Sequence, residues 1–237
     1  GFRGGYAGSY ASLSVSPVAA DEGGKNRTSG YWTARRVLAK LESEEAVGKE
    51  AARRTLALLG AKKIPTGTYA VLFDPDAARS IIGTFAGCIT GDAVYRRSSY
   101  LLDAMHTEIA SDLVTLVDDP LIVAGPGSRP FDGDGLPSRR NVVVERGELK
   151  TWLLDVYGAR KLGLKSTGSA SGGGAGTSNF FLAAGDKTRD EIVRDTKRGL
   201  YVTGMMGFGF NPVTGDFSRG AVGHWIEDGA IAFPVNE

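Results

Sequence analysis

Side chains that commonly act as nucleophiles, general bases or metal ligands are scarce in this sequence. It contains one cysteine, Cys88, and two histidines, His106 and His224. A metal site needs several His, Cys, Asp or Glu side chains close together. The two histidines are far apart in the sequence and lack the i, i+4 spacing of a helical ligand pair. We therefore interpret both as surface residues or hydrogen-bonded core residues rather than as ligands.

Cys88 lies in the stretch SIIGTFAGCITGD, residues 80–92, in which glycines recur every four residues. A thiol in an apolar helix has a raised pKa and is inert, and no histidine lies in the same element. We interpret Cys88 as a small core residue. The glycines are expected to keep this helix thin, so that another backbone can approach it.

Two acidic pairs and a glycine run remain as candidates. Asp118-Asp119 and Asp132/Asp134 have the chemistry to bind a hard cation or to act as acid and base, but carboxylates beside Pro and Gly more often bond their own backbone in turns. The glycines at 172–176 lie within STGSASGGGAGTSN, residues 166–179. No Lys-Ser or Lys-Thr follows them, and a strand comes next, so a phosphate-binding loop is excluded. A flexible loop is favoured, and an ordered loop that receives a substrate or a partner strand is the alternative.

Local signals predict the elements that would position these residues. A helix is expected over 44–59, capped by Ser43 and ended by Gly60. A strand over 68–73 leads to Asp74, which caps a helix from Pro75 to about Ile89. SYLLDAMHTEIA is read as a short helix, and TRDEIVRDTKRG as a helix with a Thr188–Glu191 capping box, ended by Gly199.

Strands are predicted for much of the remainder. The segment from Gly1 to Gly24 reads as one or two strands ending in a Gly-Gly turn. NVVVERGELKTWLLD reads as a hairpin turning at Arg146-Gly147, and the last 38 residues read as at least three strands, with a turn at Asp228-Gly229. The sequence therefore predicts an α+β fold, strand-rich with mixed or antiparallel sheets and a few helices.

Composition excludes several classes of protein. The net charge is +1, which gives no basic face for nucleic acid, and a single cysteine forms no internal disulfide. No run of about 18 apolar residues is present to span a bilayer. We expect a soluble cytoplasmic protein that binds neither nucleic acid nor membrane.

Five longer strings together resemble the PmbA/TldD family, also called modulators of DNA gyrase, and within it the TldE/PmbA branch. They are LGAKKIPTGTYAVLFDP, YRRSSYLLD, SRPFDGDGLPSRR, LKTWLLDVYGARKLGLKSTGSA and TKRGLYVTGMMGFGFNPVTGDFSRGAVGHWIEDGAIAFPV. The resemblance covers nearly the whole chain. It implies that residues 1–65 are the end of an N-terminal α/β region. Residues 66–237 would then be a C-terminal β-rich domain that is incomplete at its end.

The family resemblance also implies a metal chemistry that this chain lacks. TldD members hold zinc on a helix with an H-E-x-x-x-H motif. Aligned through the Gly-Asp and Ser-Ser that follow, the first histidine, the glutamate and the second histidine fall on Ile82, Gly83 and Gly87 respectively, which can neither hold zinc nor move a proton. We expect no catalytic residue and no cofactor in this chain, with zinc in a TldD-like partner.

The resemblance implies a TldE-like, non-catalytic subunit of a heterodimeric zinc-dependent protease that degrades or processes unfolded and small peptides. Peptide would bind by strand addition, with the loop 166–179 as a wall. The candidate contacts are Gly172, Gly173, Gly174, Ser178 and Asn179. Two alternatives stay open: a peptide-binding homodimer or larger homo-oligomer without catalysis, and a regulator that contacts DNA gyrase.

Overall fold

A computed structural model describes residues 3–236 of the chain, which form fourteen β-strands and five α-helices. The expected first strand segment begins with Gly1 and Phe2, which lie outside the described residues, as does Glu237. The strands are β1 (Ala11–Val15), β2 (Val18–Asp21), β3 (Lys25–Thr28), β4 (Tyr31–Arg35), β5 (Ala70–Phe73), β6 (Leu116–Asp118), β7 (Asn141–Glu145), β8 (Glu148–Leu149), β9 (Ala170–Ser171), β10 (Gly174–Ala175), β11 (Phe180–Leu182), β12 (Arg198–Met206), β13 (Gly220–Glu227) and β14 (Ala230–Val235). The helices are α1 (Glu44–Leu56), α2 (Pro75–Cys88), α3 (Gly91–Tyr95), α4 (Val156–Leu162) and α5 (Arg189–Asp195).

The predicted α+β class is confirmed, because short strands and helices alternate without a regular βαβ repeat. Two four-stranded sheets, ordered β11-β6-β7-β8 and β14-β13-β12-β5, are accompanied by two-stranded pairs β1-β4, β2-β3 and β9-β10. Among the strands named above, all pairings are antiparallel except that of β12 with β5. The sheets are therefore mixed or antiparallel, as the sequence predicts.

Contacts between residues group the chain into two compact units. Of the described residues, the first unit contains 3–8, Arg79–Gly185 and Gly209–Phe217; the second contains Ser9–Ala78, Asp186–Phe208 and 218–236. These units are built from interleaved segments rather than from one cut in the chain. A domain boundary at 65/66 therefore stays a prediction.

A hydrophobic core fills the first unit. Cys88 and Ile89 at the end of α2 pack with buried side chains of β7, of β8 and of the segment after β8. Leu149 of β8 and Leu153 of that segment are fully buried. Ile82 and Phe85 of α2 contact the same cluster. The apolar face of α2 is thus anchored in this core.

The second unit is organised by the sheet β14-β13-β12-β5. Tyr201 of β12 pairs with His224 of β13, and His224 pairs in turn with Pro234 of β14. On the other side of β12, Tyr201 pairs with Leu72 of β5. Because directly paired residues project to the same face of a sheet, this row of side chains lies on one surface.

The N-terminal caps predicted for α1, α2 and α5 are present in the structure. Ser43 Oγ accepts a hydrogen bond from Ala46 N at the start of α1, and Asp74 Oδ1 accepts one from Asp76 N at the start of α2. At α5, Thr188 and Glu191 form the predicted capping box. Helix α1 ends at Leu56, three residues before the predicted end, and Gly60 then adopts a left-handed φ of 72°.

Two local predictions are wrong. Residues 99–110 form turns rather than a helix, because His106 has a φ of 62° and its N–H donates to Leu149 O across the unit. Gly199 does not end α5; the helix stops at Asp195, and Gly199 lies inside β12 with its Cα against Ala70 of β5. In both places a contact distant in sequence overrides the local signal.

Candidate functional site

The three positions aligned with the zinc motif lie on α2 and offer no side-chain donor atom for a metal. Ile82 packs against the core of the first unit, while Gly83 and Gly87 are exposed. A Cβ built on either glycine would meet nothing within 4 Å. Among residues 3–236, nothing therefore lies within contact distance of these Cβ positions, and the expected approach of a second backbone stays a prediction.

Among residues 3–236, no group of three or more His, Cys, Asp or Glu side chains is placed to hold a metal ion. Cys88 is 1% exposed and its Sγ donates to Thr84 O at 3.6 Å. Burial raises the pKa of the thiol, so the protonated form dominates. His106 lies on the surface and contacts Glu148 at 3.6 Å.

The glycine run forms a small hairpin rather than an irregular loop. Strands β9 and β10 pair antiparallel, and Gly172 and Gly173 make the turn between them. Their φ values of 59° and 102° are ones that L side chains rarely adopt, so the turn requires glycine at both places. Gly174 opens β10. These three candidate peptide contacts therefore form the tip and first rung of a hairpin.

Ser178 is the next candidate, and its polar groups bond to this chain. Its N and Oγ both donate to Asp118 Oδ1, at 2.6 and 2.9 Å. Asp118 is 1% exposed, and burial raises the pKa of its carboxyl group against the opposing effect of these bonds. The Ser178 hydroxyl is thus committed to satisfying a buried carboxylate.

The side-chain amide of Asn179 also makes hydrogen bonds within this chain. Its Nδ2 donates to Asp119 O at 2.6 Å and to Ser128 Oγ at 2.9 Å, and its Oδ1 accepts from Gly127 N at 2.8 Å. An amide that uses both donors and its acceptor within the chain fastens the loop around residue 127. Asn179 and Ser178 hold the structure of the first unit, and their assignment as peptide contacts stays a prediction.

The carboxylates at 132 and 134 also bond backbone. Asp132 Oδ1 accepts from Asp134 N and Leu136 N, and its Oδ2 accepts from Ala170 N. Asp134 Oδ2 accepts from Val156 N at the start of α4. Both side chains therefore shape loops, which was the favoured interpretation of this acidic pair.

A cavity that the sequence did not reveal lies wholly within the second unit. Its volume is about 460 Å³, within the range typical of small-molecule sites. The sheet supplies Tyr201 and His224, and α1 supplies Arg53 and Arg54. The remaining wall residues are Ser29, Ala57, Asp74, Arg189, Thr203, Ile231, Ala232, Phe233 and Pro234.

Tyr201 and Asp74 form a pair in this cavity. The Tyr201 hydroxyl donates to Asp74 Oδ2 at 3.0 Å, and the Arg189 guanidinium lies 5.2 Å from the centre of the Tyr201 ring. Burial, with the Asp74 carboxylate beside it, raises the pKa of Tyr201 to about 12. The phenol therefore stays protonated at neutral pH and serves as a hydrogen-bond donor.

His224 is held by the end of α1. Its Nε2 lies 3.2 Å from Ala57 O, and burial lowers the pKa of the ring. A neutral imidazole that donates from Nε2 carries no proton on Nδ1. Nδ1 is therefore an acceptor, and it makes no hydrogen bond with the described residues.

The arginines of α1 are aligned by one carboxylate. Glu50 accepts from Arg53 at 2.7 Å through both of its oxygens and from Arg54 Nε at 2.8 Å. Hydrogen bonding from Arg53, followed by that from Arg54, lowers the pKa of Glu50 to about 2 despite the opposing effect of burial. Arg54 Nη1 also donates to Asp76 at 3.0 Å. The two guanidinium groups are thereby fixed in place.

A second cavity of about 430 Å³ shares Ser29, Arg54 and Thr203 with the first. Its other wall residues include Ser14, Ser16 and Thr28, which carry hydroxyl groups. The two cavities therefore adjoin each other, and together we call them the depression; guanidinium and apolar groups line the first, and several hydroxyl groups line the second.

Sequence reasoning missed this depression because its parts come from distant segments. Tyr201 and His224 meet only through the register of β12 and β13, which a long connection joins instead of a tight turn. Asp74 was interpreted as a helix cap, a role it does have. The one available signal was the pair of adjacent arginines at 53–54 on an otherwise well-defined helix.

Comparison with known proteins identifies the class. The profile of the PmbA/TldA metallopeptidase C-terminal domain matches residues 66–237, and that of the central domain of the same family matches residues 1–59. The chain belongs to the PmbA/TldD family of metallopeptidases.

Individual relatives agree with the family. The chain is 39% identical over 233 residues to "Metalloprotease PmbA" of Escherichia coli O157:H7, covering 98% of this chain and 51% of that protein. The crystal structure of a protein described as a modulator of DNA gyrase from Bacteroides thetaiotaomicron VPI-5482 superimposes with a TM-score of 0.89 at 32% identity, covering 96% of this chain and 51% of that one. A crystal structure of TldE from Thermococcus kodakarensis, 24% identical with a TM-score of 0.82 over 95% of this chain and 53% of that one, shows the same fold.

The chain thus spans about half the length of the relatives it matches. Their names associate the family with proteolysis. Within residues 3–236, no helix is long and apolar enough to cross a membrane.

Proposed function

We propose that this chain acts as a TldE/PmbA-type, non-catalytic subunit of a heterodimeric zinc-dependent protease that degrades or processes unfolded and small peptides. The observation that carries the proposal is the chemistry of α2 at the positions aligned with the zinc motif. Ile82, Gly83 and Gly87 supply no imidazole to bind zinc and no carboxylate to activate water. Zinc and the catalytic groups would come from a TldD-like partner.

The other candidate residues support this assignment. The buried thiol of Cys88 is held in its protonated form, and the loop carboxylates bond backbone groups. His224 and Tyr201 lie in a cavity whose cationic wall suits recognition of a ligand better than cleavage of an amide. A role in positioning peptide and completing a chamber with the partner fits these features.

The test is cleavage of an unfolded peptide by this chain, by a TldD-like partner and by their mixture. We expect cleavage by the mixture to exceed the sum of the separate rates at least tenfold, with none from this chain alone. Cleavage by this chain at the rate of the mixture would refute a non-catalytic role. A stable complex with DNA gyrase subunits, without any effect on cleavage, would instead support the regulator alternative.

A further inference from the structure

We infer that the cavity of the second unit binds the C-terminal carboxylate of a short peptide whose last side chain is apolar. The peptide class rests on the proposed function, whereas the carboxylate and the apolar side chain are argued from the cavity itself. Its volume of about 460 Å³ admits a terminal residue, and the adjoining cavity of about 430 Å³ admits the residues before it.

Guanidinium groups with unused donors make one end of the cavity suitable for an anion. Arg53 Nη1 and Arg54 Nη2 make no hydrogen bond with the described residues, since Glu50 and Asp76 take only the other nitrogens of these side chains. Arg189 makes no hydrogen bond at all among those residues; its Nε lies 3.6 Å from Asp190. Arg189 can therefore present two N–H groups to both oxygens of a carboxylate, while Arg53 and Arg54 each offer one unused nitrogen.

The charge around the cavity favours one negative charge over two. Three guanidinium groups and one carboxylate, Asp74, line it. Asp74 is already bound by the Tyr201 hydroxyl and by Asp76 N. Glu50 and Asp76 offset part of the arginine charge from positions outside the first cavity's wall. The three guanidinium groups and these three carboxylates balance formally, so attraction of an anion depends on the unused N–H donors, and a singly charged carboxylate unbalances the cavity less than a phosphate dianion does.

The wall formed by β14 defines the rest of the ligand. Ile231, Ala232 and Pro234 line it with apolar groups, of which Ile231 is 40% exposed, whereas the ring of Phe233, a further lining residue, stacks on Trp225. An apolar side chain next to the carboxylate would cover this surface and remove it from water. Beside this wall, on the neighbouring strand β13, His224 Nδ1 is an unused acceptor for a peptide N–H. Anion donors, an apolar wall and one acceptor together match the end of a peptide.

The experiment is calorimetric titration of this chain with N-acetyl-Ala-Ala-Phe as the free acid, with the same peptide as its C-terminal amide, and with inorganic phosphate. We expect the free acid to bind at least tenfold more tightly than the amide, and phosphate to bind more weakly than the free acid. Equal affinity for acid and amide, or no binding of the acid at millimolar concentration, would overturn the inference. Tighter binding of phosphate would overturn the assignment to a peptide.

A matched pair of variants locates the binding. Arg189→Gln removes an exposed guanidinium from the cavity wall and should lower the affinity for the free-acid peptide at least fivefold. Arg194→Gln changes the same residue type on the same helix, away from the cavity lining, and should leave its affinity unchanged. Equal affinities for both variants and the unaltered chain would place the binding elsewhere.

This titration needs neither a partner nor cleavage, so it separates the two proposals. Selective binding of the free acid, with no cleavage by any mixture, would refute the proposed function and leave the pocket in place. Cleavage by the mixture without selectivity for the carboxylate would refute the pocket alone.

Discussion

Replacing the exposed glycines of α2 by alanine should stabilise the chain. Gly83 lies in the interior of the helix Pro75–Cys88, and Gly87 is its penultimate residue. Neither has an atom within 4 Å of a built Cβ, and neither has a positive φ. A methyl group at either place therefore costs no steric strain, while the unfolded chain loses conformational freedom.

The magnitude follows from helix propensity and position. Glycine is about 0.8–1 kcal/mol less favourable than alanine in a helix interior, and about half of that is expected at the penultimate residue, where the helical backbone conformation is less strictly required. Gly83→Ala should therefore raise the free energy of unfolding by about 0.8 kcal/mol, Gly87→Ala by about 0.4 kcal/mol, and the double variant by about 1.2 kcal/mol. The corresponding rise in Tm is about 2–5 °C for a chain of this size.

Urea and thermal unfolding followed by circular dichroism measure both quantities. Gly91→Ala is the matched control, because its Cβ would lie 3.0 Å from Leu154 Cδ2 and 3.4 Å from Gly158 Cα. It should destabilise the chain. If Gly83→Ala also lowers the free energy of unfolding, something packs against this face of α2 and the reasoning fails. If a partner backbone does approach the glycines, the double variant should bind a TldD-like partner more weakly despite its greater stability.

Three further predictions concern the side chains of Glu50, Tyr201 and Asn179. Glu50→Gln should lower the free energy of unfolding at pH 7 by about 1 kcal/mol, allowing for solvent screening. Because the folded pKa of Glu50 is depressed from 4.5 to about 2, urea unfolding should show this difference shrinking as the pH falls through that interval; a difference independent of pH would contradict the ion-pair origin. Tyr201→Phe should lower the free energy of unfolding by about 1–2 kcal/mol, because Asp74 loses its hydroxyl donor. In an ultraviolet pH titration, the same variant should lack a phenol that ionises near pH 12. An unchanged titration would show that this phenol is not Tyr201. Asn179→Ala should lower the free energy of unfolding by about 2–3 kcal/mol, since three hydrogen bonds are lost. A loss below 0.5 kcal/mol in urea unfolding would show that the side chain does not stabilise the loop around residue 127.

Local signals predict the elements whose ends are decided by their own residues. The caps at Ser43 and Thr188 and the turn at Asp228-Gly229 depend on neighbours a few residues away, and the structure has each of them. Hydrogen bonding of His106 N to Leu149 O depends on a strand more than 40 residues further on. A helix-like pattern over 99–110 therefore gave way to a contact that local reasoning does not include.

The cavity also depends on contacts between residues that are distant in sequence, so local patterns did not predict it. Its floor is set by the register that places Tyr201 opposite His224, and its charged wall by the position of α1 on the sheet. Register is fixed by burial across the whole sheet rather than by either strand alone. By contrast, the absence of donor atoms at Ile82, Gly83 and Gly87 is visible in the sequence, because it depends on residue types and one alignment.

The central claim is that this chain carries no zinc of its own, and metal analysis tests it most directly. The purified chain, and the same chain after separation from a zinc-loaded TldD-like partner, would be measured by inductively coupled plasma mass spectrometry. We predict well under one-tenth of a zinc ion per chain in both samples, with the zinc retained by the partner. One zinc ion per chain, lost on substitution of residues near α2, would contradict the account.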